Sequence, residues 1–500
     1  MNKTVKAGRA AESSLELSAA EIHELSSQIQ QLVTNYFSQL PDLPVFPQTH
    51  AGKTLDEIGR AIPHEGESLD QLLQDCRAII ENSRNNGHPR FFGYVASPST
   101  PPGAFADLIA SAVNINVTSW RSGPAATEIE RTVVRWLGSL IGYSDDAAGL
   151  LTSGGSMANL TALMIAHRAK SDDSVASQGL WNLPAPMTIY ASDQIHMSIP
   201  KAADILGLGR AQVRMVKSDS RFRMDVPLLR ETIARDLENG LKPFCVVGSA
   251  GTVNTGAVDP LADIAAVANE FDLWFHVDGA YGALAALDEN KRPLFKGLEQ
   301  ANSVSLDPHK WLYVPIDSGC LLFRDEAQAR AAFSFDEADY IKVHEQNADE
   351  SFAFWNYGPE LSRRFRALKI WLTLRYYGVR RIAAAITKDN AMARHLAECV
   401  EQAEDFELLA PPELSICCFR YLPKSLQSGA AFQIEAELDQ LNTDIMHAVQ
   451  RGGRAYLSSA TVGGKFALRA CITNFRTTRA DIDETIRIIR DAAKEILATR

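Results

Sequence analysis

The chain has 500 residues, of which 46% are hydrophobic and 22% are charged. This length exceeds what one hydrophobic core usually serves, so we expect two or three sub-domains in a globular protein. The formal net charge is -11, which argues against nucleic acid or an anionic membrane as a partner, because either would be repelled over most of the surface. An acidic surface does not exclude a small-molecule substrate, because a local pocket can carry the opposite sign.

Seven cysteines are scattered along the chain, and the closest two, Cys417 and Cys418, are adjacent. This pattern suits neither a disulfide framework nor a zinc motif, so we expect free thiols in a reducing compartment and no metal site. The N-terminus carries basic residues without an apolar signal-peptide core, and no apolar run reaches the roughly 18 residues that span a bilayer. These features predict a cytoplasmic protein.

Residues 1–100 are predicted to form an N-terminal helical segment, which begins with a loose tail up to about Leu17. From Ser18 to Leu40 apolar residues recur at helical spacing, and Ser18 with Glu21 is typical of a capped helix start. The proline-containing stretch PDLPVFP ends this helix. One such helix cannot bury its own apolar face, so we expect it to pack on another domain or subunit.

Residues 101–376 are predicted to form a large α/β domain, in which short apolar runs alternate with amphipathic segments such as Leu261–Phe271. Strands that alternate with helices predict a mostly parallel central sheet with helices on both faces. Ligands of such sheets gather at the carboxyl ends of the strands. The candidate strands are TIYAS (188–192), FCVVGSA (244–250), LWFHVD (273–278), SVSLD (303–307) and GCLLF (319–323).

Residues 377–500 are predicted to form a small C-terminal α/β domain. A long helix precedes it, on the spacing of Leu361, Phe365, Leu368 and Leu372. We interpret the basic residues of that helix as a solvated or salt-bridged face, not as a site for a ligand anion; they are Arg363, Arg364 and Lys369. The small domain is expected to contain a helix near Ile382–Glu401, strands near Ser415–Tyr421 and Phe466–Thr473, and a terminal helix from Arg479.

The motif SLDPHKW places Lys310 just past a predicted buried strand. A free ammonium ion is costly there, but the amine becomes useful if it condenses with an aldehyde cofactor to form a Schiff base. Taken alone, a His-Lys pair fits a surface turn equally well. Lys310 is therefore a candidate for covalent attachment of a cofactor only when it is considered with the motifs below.

The motif LWFHVDGAYGA ends an apolar strand in Asp278, at the expected ligand edge of the sheet. A carboxylate there can pair with the pyridine nitrogen of pyridoxal phosphate and keep it protonated, which makes the ring an electron sink. The small residues Gly279 and Ala280 would let a flat ring lie close to the backbone. The alternative, a metal-binding or helix-capping aspartate, is less favoured because Lys310 follows a later strand.

The segment GLLTSGGSMANL contains a glycine-rich turn that leads into a helix, and the exposed N–H groups of such a turn suit a phosphate. Gly155 and Ser156 are the candidate phosphate contacts. A serine-hydrolase nucleophile elbow would need glycine in place of Ala158, so that alternative is weak. The GLG at 207–209 is too short to indicate a dinucleotide site.

His196 in SDQIHMS follows the strand TIYAS, at the same predicted edge of the sheet. An imidazole in this position can stack on a cofactor ring and contact the substrate. A single histidine is more often structural, but its place at the ligand edge favours a functional role.

Taken together, these motifs resemble the group II pyridoxal-phosphate-dependent decarboxylases, which include aromatic-amino-acid, histidine and glutamate decarboxylases. The similarity runs from about Leu32 to the C-terminus. The motifs occur in family order as HPRFFGY (88–94), SWRSGPAATEIE (119–130), SGGSMAN, SDQIH, HVDGAYG, DPHKW and RRFRALK. The resemblance implies the PLP-dependent transferase fold type I, which is aspartate aminotransferase-like, and an intertwined homodimer whose N-terminal helical segment packs on the partner.

The resemblance also implies roles for individual residues around pyridoxal 5'-phosphate. Lys310 would form the Schiff base with the cofactor, and His309 would sit beside it. Asp278 would bind the pyridine nitrogen. The remaining implied cofactor contacts are Ala280 beneath the ring, His196 above it, Gly155 and Ser156 at the phosphate, and Thr252 in SAGTVN. Many family members have asparagine where this chain has Asp307, which puts a direct phosphate contact by that side chain in doubt.

The implied reaction is decarboxylation of an L-amino acid to an amine and CO2, in which the substrate amine displaces Lys310. In aromatic-amino-acid decarboxylases a tyrosine on a mobile loop protonates the α-carbon, and the corresponding loop here is Asp336–Tyr357, a predicted lid. Phe352 is aligned near that tyrosine, with Phe354 as the alternative, and Tyr340 or Tyr357 can substitute for it. In related plant enzymes a Tyr-to-Phe change accompanies oxidative decarboxylation to an aldehyde, so an aldehyde-forming enzyme stays open.

The substrate is predicted less well than the chemistry. Tyr94 and Trp120 fit an aromatic-lined pocket, although both suit a core equally well, and Phe352 is a further candidate contact. Asn116 and Thr118 occupy positions that are apolar in aromatic-amino-acid decarboxylases. Arg90 is better interpreted as a structural ion pair than as a contact for an acidic substrate. Another PLP-dependent lyase and a catalytically silent scaffold are the remaining hypotheses, and the presence of Lys310, Asp278 and His196 together disfavours the scaffold.

Overall fold

The computed structural model describes residues 15–59, 61–172, 174–334, 350–426 and 431–499. Its strands are β1 (Phe91–Phe92), β2 (Ala148–Thr152), β3 (Met187–Ser192), β4 (Val213–Val216), β5 (Lys242–Ser249), β6 (Trp274–Asp278), β7 (Ser303–Leu306), β8 (Gly319–Phe323), β9 (Phe406–Ala410), β10 (Ile416–Tyr421), β11 (Tyr456–Val462) and β12 (Lys465–Cys471).

Its α-helices are α1 (Ala19–Gln39), α2 (Ala51–Ile58), α3 (Leu69–Glu81), α4 (Pro101–Val113), α5 (Pro124–Leu140), α6 (Gly155–Lys170), α7 (Ser174–Gln178), α8 (Ser198–Ile205), α9 (Val226–Glu238), α10 (Leu261–Glu270), α11 (Pro308–Trp311), α12 (Glu326–Phe333), α13 (Ala367–Tyr377), α14 (Val379–Glu401), α15 (Ala431–Arg451) and α16 (Arg479–Thr499). None of these helices is both long and apolar enough to cross a bilayer, as far as the described residues extend.

The larger sheet has seven strands in the order β2-β8-β7-β6-β5-β3-β4. The pairs from β4 to β7 are parallel, and β8 alone runs opposite to its neighbours. Every residue of β3, β7 and β8 is buried, as expected for strands covered on both faces, which explains why they read as continuous apolar runs. The mostly parallel α/β sheet is therefore confirmed, and the five predicted strands correspond to β3, β5, β6, β7 and β8 within one or two residues.

The smaller sheet has the order β1-β11-β12-β10-β9 and lies mainly in the C-terminal part of the chain. Helices α14, α15 and α16 share one buried apolar cluster with its strands. Strand β1 comes from the N-terminal segment and pairs in parallel with β11, with Phe91 opposite Tyr456. This long-range pairing joins the N-terminal segment to the C-terminal part of the chain. The predicted domain limits at residues 100 and 376 stay predictions.

Helix α1 begins as the sequence predicted. The Ser18 hydroxyl accepts from the Glu21 amide, and the Glu21 carboxylate accepts in return from the Ser18 amide at 2.7 Å. This reciprocal capping satisfies two N–H groups that a helix start leaves without partners. No residue of α1 is fully buried within the chain, although the helix contacts α3 and Leu25, Leu32 and Phe37 are partly covered.

The helix predicted on the spacing of Leu361 and Phe365 begins only at Ala367, as α13. The backbone around Arg363 is engaged elsewhere, because its carbonyl accepts from the Val117 amide at 2.9 Å and its amide donates to the Asn116 side chain at 2.8 Å. The prediction of helix across 361–366 was therefore wrong, because hydrogen bonds to residues 116 and 117 replace the helical ones.

The basic residues of this region form ion pairs, as the sequence suggested. The buried Arg363 guanidinium pairs with Glu130, and the buried Lys369 ammonium lies 3.1 Å from Asp107. Both pairs tie the start of α13 to the helices α4 and α5. Removing one partner of a buried pair leaves the other charge without compensation, which typically lowers the stability of the fold by about 3–5 kcal/mol.

Candidate active site

A cleft of about 870 Å³ opens at the carboxyl ends of the parallel strands, between the large sheet and the C-terminal part of the chain. The structure brings nine residues singled out from the sequence to its walls: Tyr94, Gly155, Ser156, His196, Thr252, Asp278, Ala280, His309 and Lys310. Their convergence follows from the parallel sheet, because the carboxyl ends of its strands meet at one edge.

Lys310 lies on the short helix α11, directly after β7. Its ammonium is 2.8 Å from Oδ2 of Asp307, whose carboxyl group is almost completely buried. The second oxygen of Asp307 has no hydrogen-bond partner among the described residues. The departure from the family's asparagine thus places a carboxylate within ion-pair distance of the Lys310 amine.

Asp278 is the last residue of β6 and is 7% exposed. Oδ2 accepts from the Asn159 amide at 2.9 Å, and Oδ1 accepts from the Ala280 backbone amide at 3.1 Å and from the Ser305 hydroxyl at 3.3 Å. All these donors are neutral. A buried carboxylate held this way can take up a cationic donor, such as a protonated pyridine nitrogen, from a ligand in the cleft.

The sequence reasoning missed a buried chain of hydrogen bonds behind Asp278. The Asn159 carbonyl oxygen faces Nε2 of His276 at 3.0 Å, and Nδ1 of His276 faces the Ser303 hydroxyl at 2.9 Å. Burial lowers the pKa of His276 to about 4, so this ring is neutral near pH 7. Two signals were available: His276 precedes Asp278 by two residues on one strand, and Asn159 lies one turn beyond Gly155 on α6.

The helix α6 starts at the predicted phosphate contacts. A side chain at Gly155 would place its Cβ 2.7 Å from that of Ala280 and 3.1 Å from Asp307, so the backbone approaches this closely only because the residue is glycine. The first N–H groups of a helix lack intrahelical acceptors, and the helix dipole favours an anion there. Gly155 and Ser156 are therefore suitably placed for a phosphate.

Two of the cleft histidines, His196 and His309, are held by hydrogen bonds. Nδ1 of His196 is 2.8 Å from the Ser198 hydroxyl, and Nδ1 of His309 is 2.7 Å from the Ser318 carbonyl oxygen. The Ser318 backbone amide also lies 3.3 Å from Nδ1 of His309, so the Ser318 backbone fixes the orientation of this ring. Burial lowers the pKa of both rings, which favours the neutral form.

Thr252 lines the cleft, but its hydroxyl is engaged within its own loop. It lies 3.0 Å from the Thr255 hydroxyl and accepts from the Ala257 amide at 3.1 Å. This pairing shapes the loop after β5.

The predicted substrate contacts separate into two groups. Tyr94 lines the cleft, with its hydroxyl 3.1 Å from that of Tyr456. Trp120 and Phe352 are not among the described residues that line the cleft. They lie beside each other, since the Trp120 amide donates to the Phe352 carbonyl at 2.9 Å. The Phe352 ring stacks on that of Tyr357 with 5.5 Å between centroids. The roles of Trp120 and Phe352 as substrate contacts stay predictions, and the geometry within one chain does not support them.

Arg90, Asn116 and most of the predicted lid contribute no described side chain to the cleft. Arg90 pairs with Asp481 at 3.3 Å, which confirms a structural ion pair. The Asn116 side chain caps the backbone near Arg363 and is not in the cleft. The predicted lid is described only from residue 350 onward, so its residues 336–349, which include Tyr340, lie outside the described residues.

The C-terminal part of the chain supplies cleft residues that no motif indicated. Arg469 donates to the backbone carbonyls of Val253 at 2.7 Å and Tyr94 at 2.7 Å. Its guanidinium therefore ties the two sides of the cleft together. The other residues of this group are Met446, His447, Gln450, Tyr456, Ser458 and Ser459.

Known proteins resemble this chain over nearly its whole length. The family profile described as the pyridoxal-dependent decarboxylase conserved domain matches residues 52–422. The aromatic-L-amino-acid decarboxylase of Bacillus atrophaeus is 35% identical, over 96% of this chain and 97% of its own length. The phenylacetaldehyde synthase of a Rosa hybrid cultivar is 30% identical, over 97% of this chain and 96% of its own. The crystal structure of Oryza sativa TDC with PLP and tryptamine has a TM-score of 0.89 at 27% identity, covering 97% of this chain and 100% of that one.

These likenesses agree with the fold and with the chemistry of the cleft. They support fold type I for the mostly parallel sheet and confirm pyridoxal 5'-phosphate as the cofactor. The protein is a carboxy-lyase that decarboxylates an amino acid with this cofactor. The chain belongs to the pyridoxal-dependent decarboxylase family.

Proposed function

We propose that the protein converts an aromatic L-amino acid to its amine and CO2, with Lys310 as the residue that holds the cofactor. The observation that carries this proposal is the convergence of Lys310, Asp278 and the start of α6 on one cleft. The cleft fits the cofactor chemically. It offers an amine for the aldehyde, a buried carboxylate with only neutral donors for the pyridine nitrogen, and a helix start for the phosphate.

The bound cofactor supplies an electron sink for the pair that departing CO2 leaves behind. Asp278 would hold the proton of the ring nitrogen, and the Asn159 amide orients that carboxylate. A neutral His196 would cover the ring without adding a positive charge next to it. Asp307, 2.8 Å from the amine of Lys310, would hold that side chain in the cleft whenever it is not bonded to the cofactor.

An aromatic substrate is favoured by three observations. The curated relatives quoted above include an aromatic-L-amino-acid decarboxylase at 35% identity. Arg469, the arginine among the described cleft residues, is engaged by backbone carbonyls of Val253, Asn254 and Tyr94, so it offers little to an acidic side chain. The Tyr94 and Tyr456 rings add apolar surface at 6.0 Å between centroids.

The alternative product, an aldehyde, is favoured by the likeness to a phenylacetaldehyde synthase. Its sequence rationale was a loop phenylalanine at position 352. In the structure the Phe352 ring packs on Phe354 and Tyr357, and the Tyr357 hydroxyl donates to Glu326 at 2.5 Å. Neither Phe352 nor Tyr357 reaches the cleft within the described chain, so the rationale for an aldehyde is weakened.

The test is mass spectrometry of products after the cofactor-loaded protein is incubated in air with aromatic, basic and acidic L-amino acids. We expect an amine from an aromatic substrate. The Phe352→Tyr variant is the matched control and should give the same product, because its ring lies outside the cleft. Aldehyde with CO2, ammonia and peroxide would contradict the amine product, and turnover of acidic amino acids alone would contradict the substrate class.

We also propose that the protein is a homodimer in which α1 packs on the partner. Ile22 and Ile29 on α1 are 54% and 40% exposed, and Leu108 and Ile109 on α4 are 61% and 51% exposed. Apolar surface on this scale typically marks an interface, and a second copy of the chain is the occupant that the family resemblance implies.

Sedimentation equilibrium tests the dimer. We expect a mass twice the 54.8 kDa of one chain. Placing glutamate at both Ile22 and Ile29 should weaken dimerisation at least about tenfold, because each buried isoleucine is worth about 1.5–3 kcal/mol. Ser27→Glu, on the opposite face of α1, is the control. A wild-type monomer, or equal effects of the two variants, would contradict the proposal.

A cytoplasmic location is the corresponding proposal for the compartment. All seven cysteines lie in the described residues, and each is a free thiol in the structure. Free thiols, five of them buried, agree with the reducing compartment expected from the sequence.

A further inference from the structure

His395, Cys399 and Asp483 form a cluster of metal-ligating side chains outside the catalytic cleft. His395 and Cys399 are four residues apart on α14, so they share one face of that helix, and Asp483 lies on the neighbouring α16. None of the three lines the cleft. The sequence predicted no metal site, because its cysteines are scattered and the one close pair, Cys417 and Cys418, does not have the spacing of a zinc motif.

The three ligand atoms lie close together. Nε2 of His395 is 3.0 Å from Oδ1 of Asp483, and Sγ of Cys399 is 3.7 Å from that nitrogen and 3.8 Å from that oxygen. A tetrahedral Zn²⁺ ion with bonds of about 2.0–2.3 Å separates neighbouring ligand atoms by about 3.3–3.6 Å. The observed triangle therefore matches one face of such a tetrahedron within a few tenths of an ångström.

The chemistry of these donors selects the class of metal. Thiolate and imidazole ligands suit Zn²⁺, Co²⁺ and similar transition-metal ions, whereas Mg²⁺ and Ca²⁺ require oxygen ligands. The His395 side chain is 16% exposed and that of Asp483 is 60% exposed, so the cluster opens to solvent on one side. A water molecule can therefore complete the fourth position of the metal.

We propose that His395, Cys399 and Asp483 bind a tetrahedral transition-metal ion, Zn²⁺ or a metal of similar preference, that cross-links α14 and α16. Both helices pack on the smaller sheet through the same apolar cluster. A metal held by one ligand set from both helices would stabilise the C-terminal part of the chain. It would not take part in the reaction.

Titration of the cofactor-loaded protein with Co²⁺ tests this proposal without reference to activity. We expect one equivalent of bound Co²⁺ with a thiolate-to-metal charge-transfer band and the intense visible bands of tetrahedral cobalt. Cys399→Ser should abolish the charge-transfer band. His395→Gln and Asp483→Asn should each weaken binding more than about tenfold, since even groups behind the ligands contribute that much. Excess Zn²⁺ should displace the cobalt.

Cys76→Ser is the matched control, because Cys76 is an exposed cysteine on α3 outside the cluster. This variant should retain the full cobalt spectrum. Zn²⁺ should also raise the midpoint of thermal unfolding of the wild type and of Cys76→Ser, but not that of Cys399→Ser. The proposal is overturned if no saturable cobalt band appears, or if the band persists in Cys399→Ser.

Discussion

Replacing Lys310 by alanine is expected to abolish decarboxylation and the visible absorbance of bound cofactor together. Lys310 is the lysine among the described cleft residues, and its amine is the group that can bond to the cofactor aldehyde. We expect the rate to fall by at least about 10³-fold, the scale seen when a covalent nucleophile is removed. Absorbance spectra and initial rates on the same preparation measure both effects.

Two further variants show whether the amine itself is required. Lys310→Arg keeps a positive charge next to Asp307, 2.8 Å away in the wild type, but cannot form the covalent link, so it should be as inactive as the alanine variant. Lys201→Ala, on α8 and outside the cleft lining, should keep both absorbance and rate. Activity above one-tenth of wild type in Lys310→Arg would remove Lys310 from the mechanism.

Asp278→Asn is expected to slow the reaction by about 10²–10³-fold, the range observed when one preorganised electrostatic partner is lost. Asparagine has nearly the same shape but no negative charge, so it cannot keep the pyridine nitrogen protonated. The loss should therefore appear mainly in kcat, with a smaller change in cofactor affinity. Steady-state kinetics and a fluorescence titration with pyridoxal phosphate separate the two quantities.

Ser305→Ala is the matched control for this prediction. It removes the 3.3 Å hydrogen bond to Oδ1 of Asp278 but leaves the charge and the 2.9 Å bond from Asn159 in place. We expect it to slow the reaction less than about tenfold, as one neutral hydrogen bond is worth about 0.5–1.5 kcal/mol. Equal losses of rate in the two variants would contradict the prediction, because they would mean that the negative charge of Asp278 is not required.

The sequence predicted the large sheet and the main candidate residues because both depend on local patterns. Apolar runs such as LWFHVD fix a strand, and the residue that ends the strand then lies at the ligand edge whatever the distant chain does. Asp278 and Lys310 follow this rule, since Asp278 is the last residue of β6 and Lys310 lies on the short helix that follows β7. His196 follows it as well, after β3.

Features that depend on distant pairings could not be predicted in the same way. The pairing of β1 with β11, and the residues that line the cleft from 446 to 469, join parts of the chain that no short motif connects. The start of α13 was misplaced for a similar reason, because Val117 takes the backbone carbonyl of Arg363 out of a helical pattern. Trp120 lies in a family motif and Phe352 was aligned with a family residue, yet the two are joined by a backbone hydrogen bond and neither is among the described residues that line the cleft.

Reduction of the cofactor-loaded wild type with borohydride, followed by peptide mass spectrometry, tests the central claim most directly. Reduction makes the bond between the lysine and the cofactor permanent, so the modified peptide identifies the attachment site. We expect the added mass of the reduced cofactor on Lys310. Attachment at another lysine, or no covalent adduct in a protein that still decarboxylates an amino acid, would contradict the proposed site.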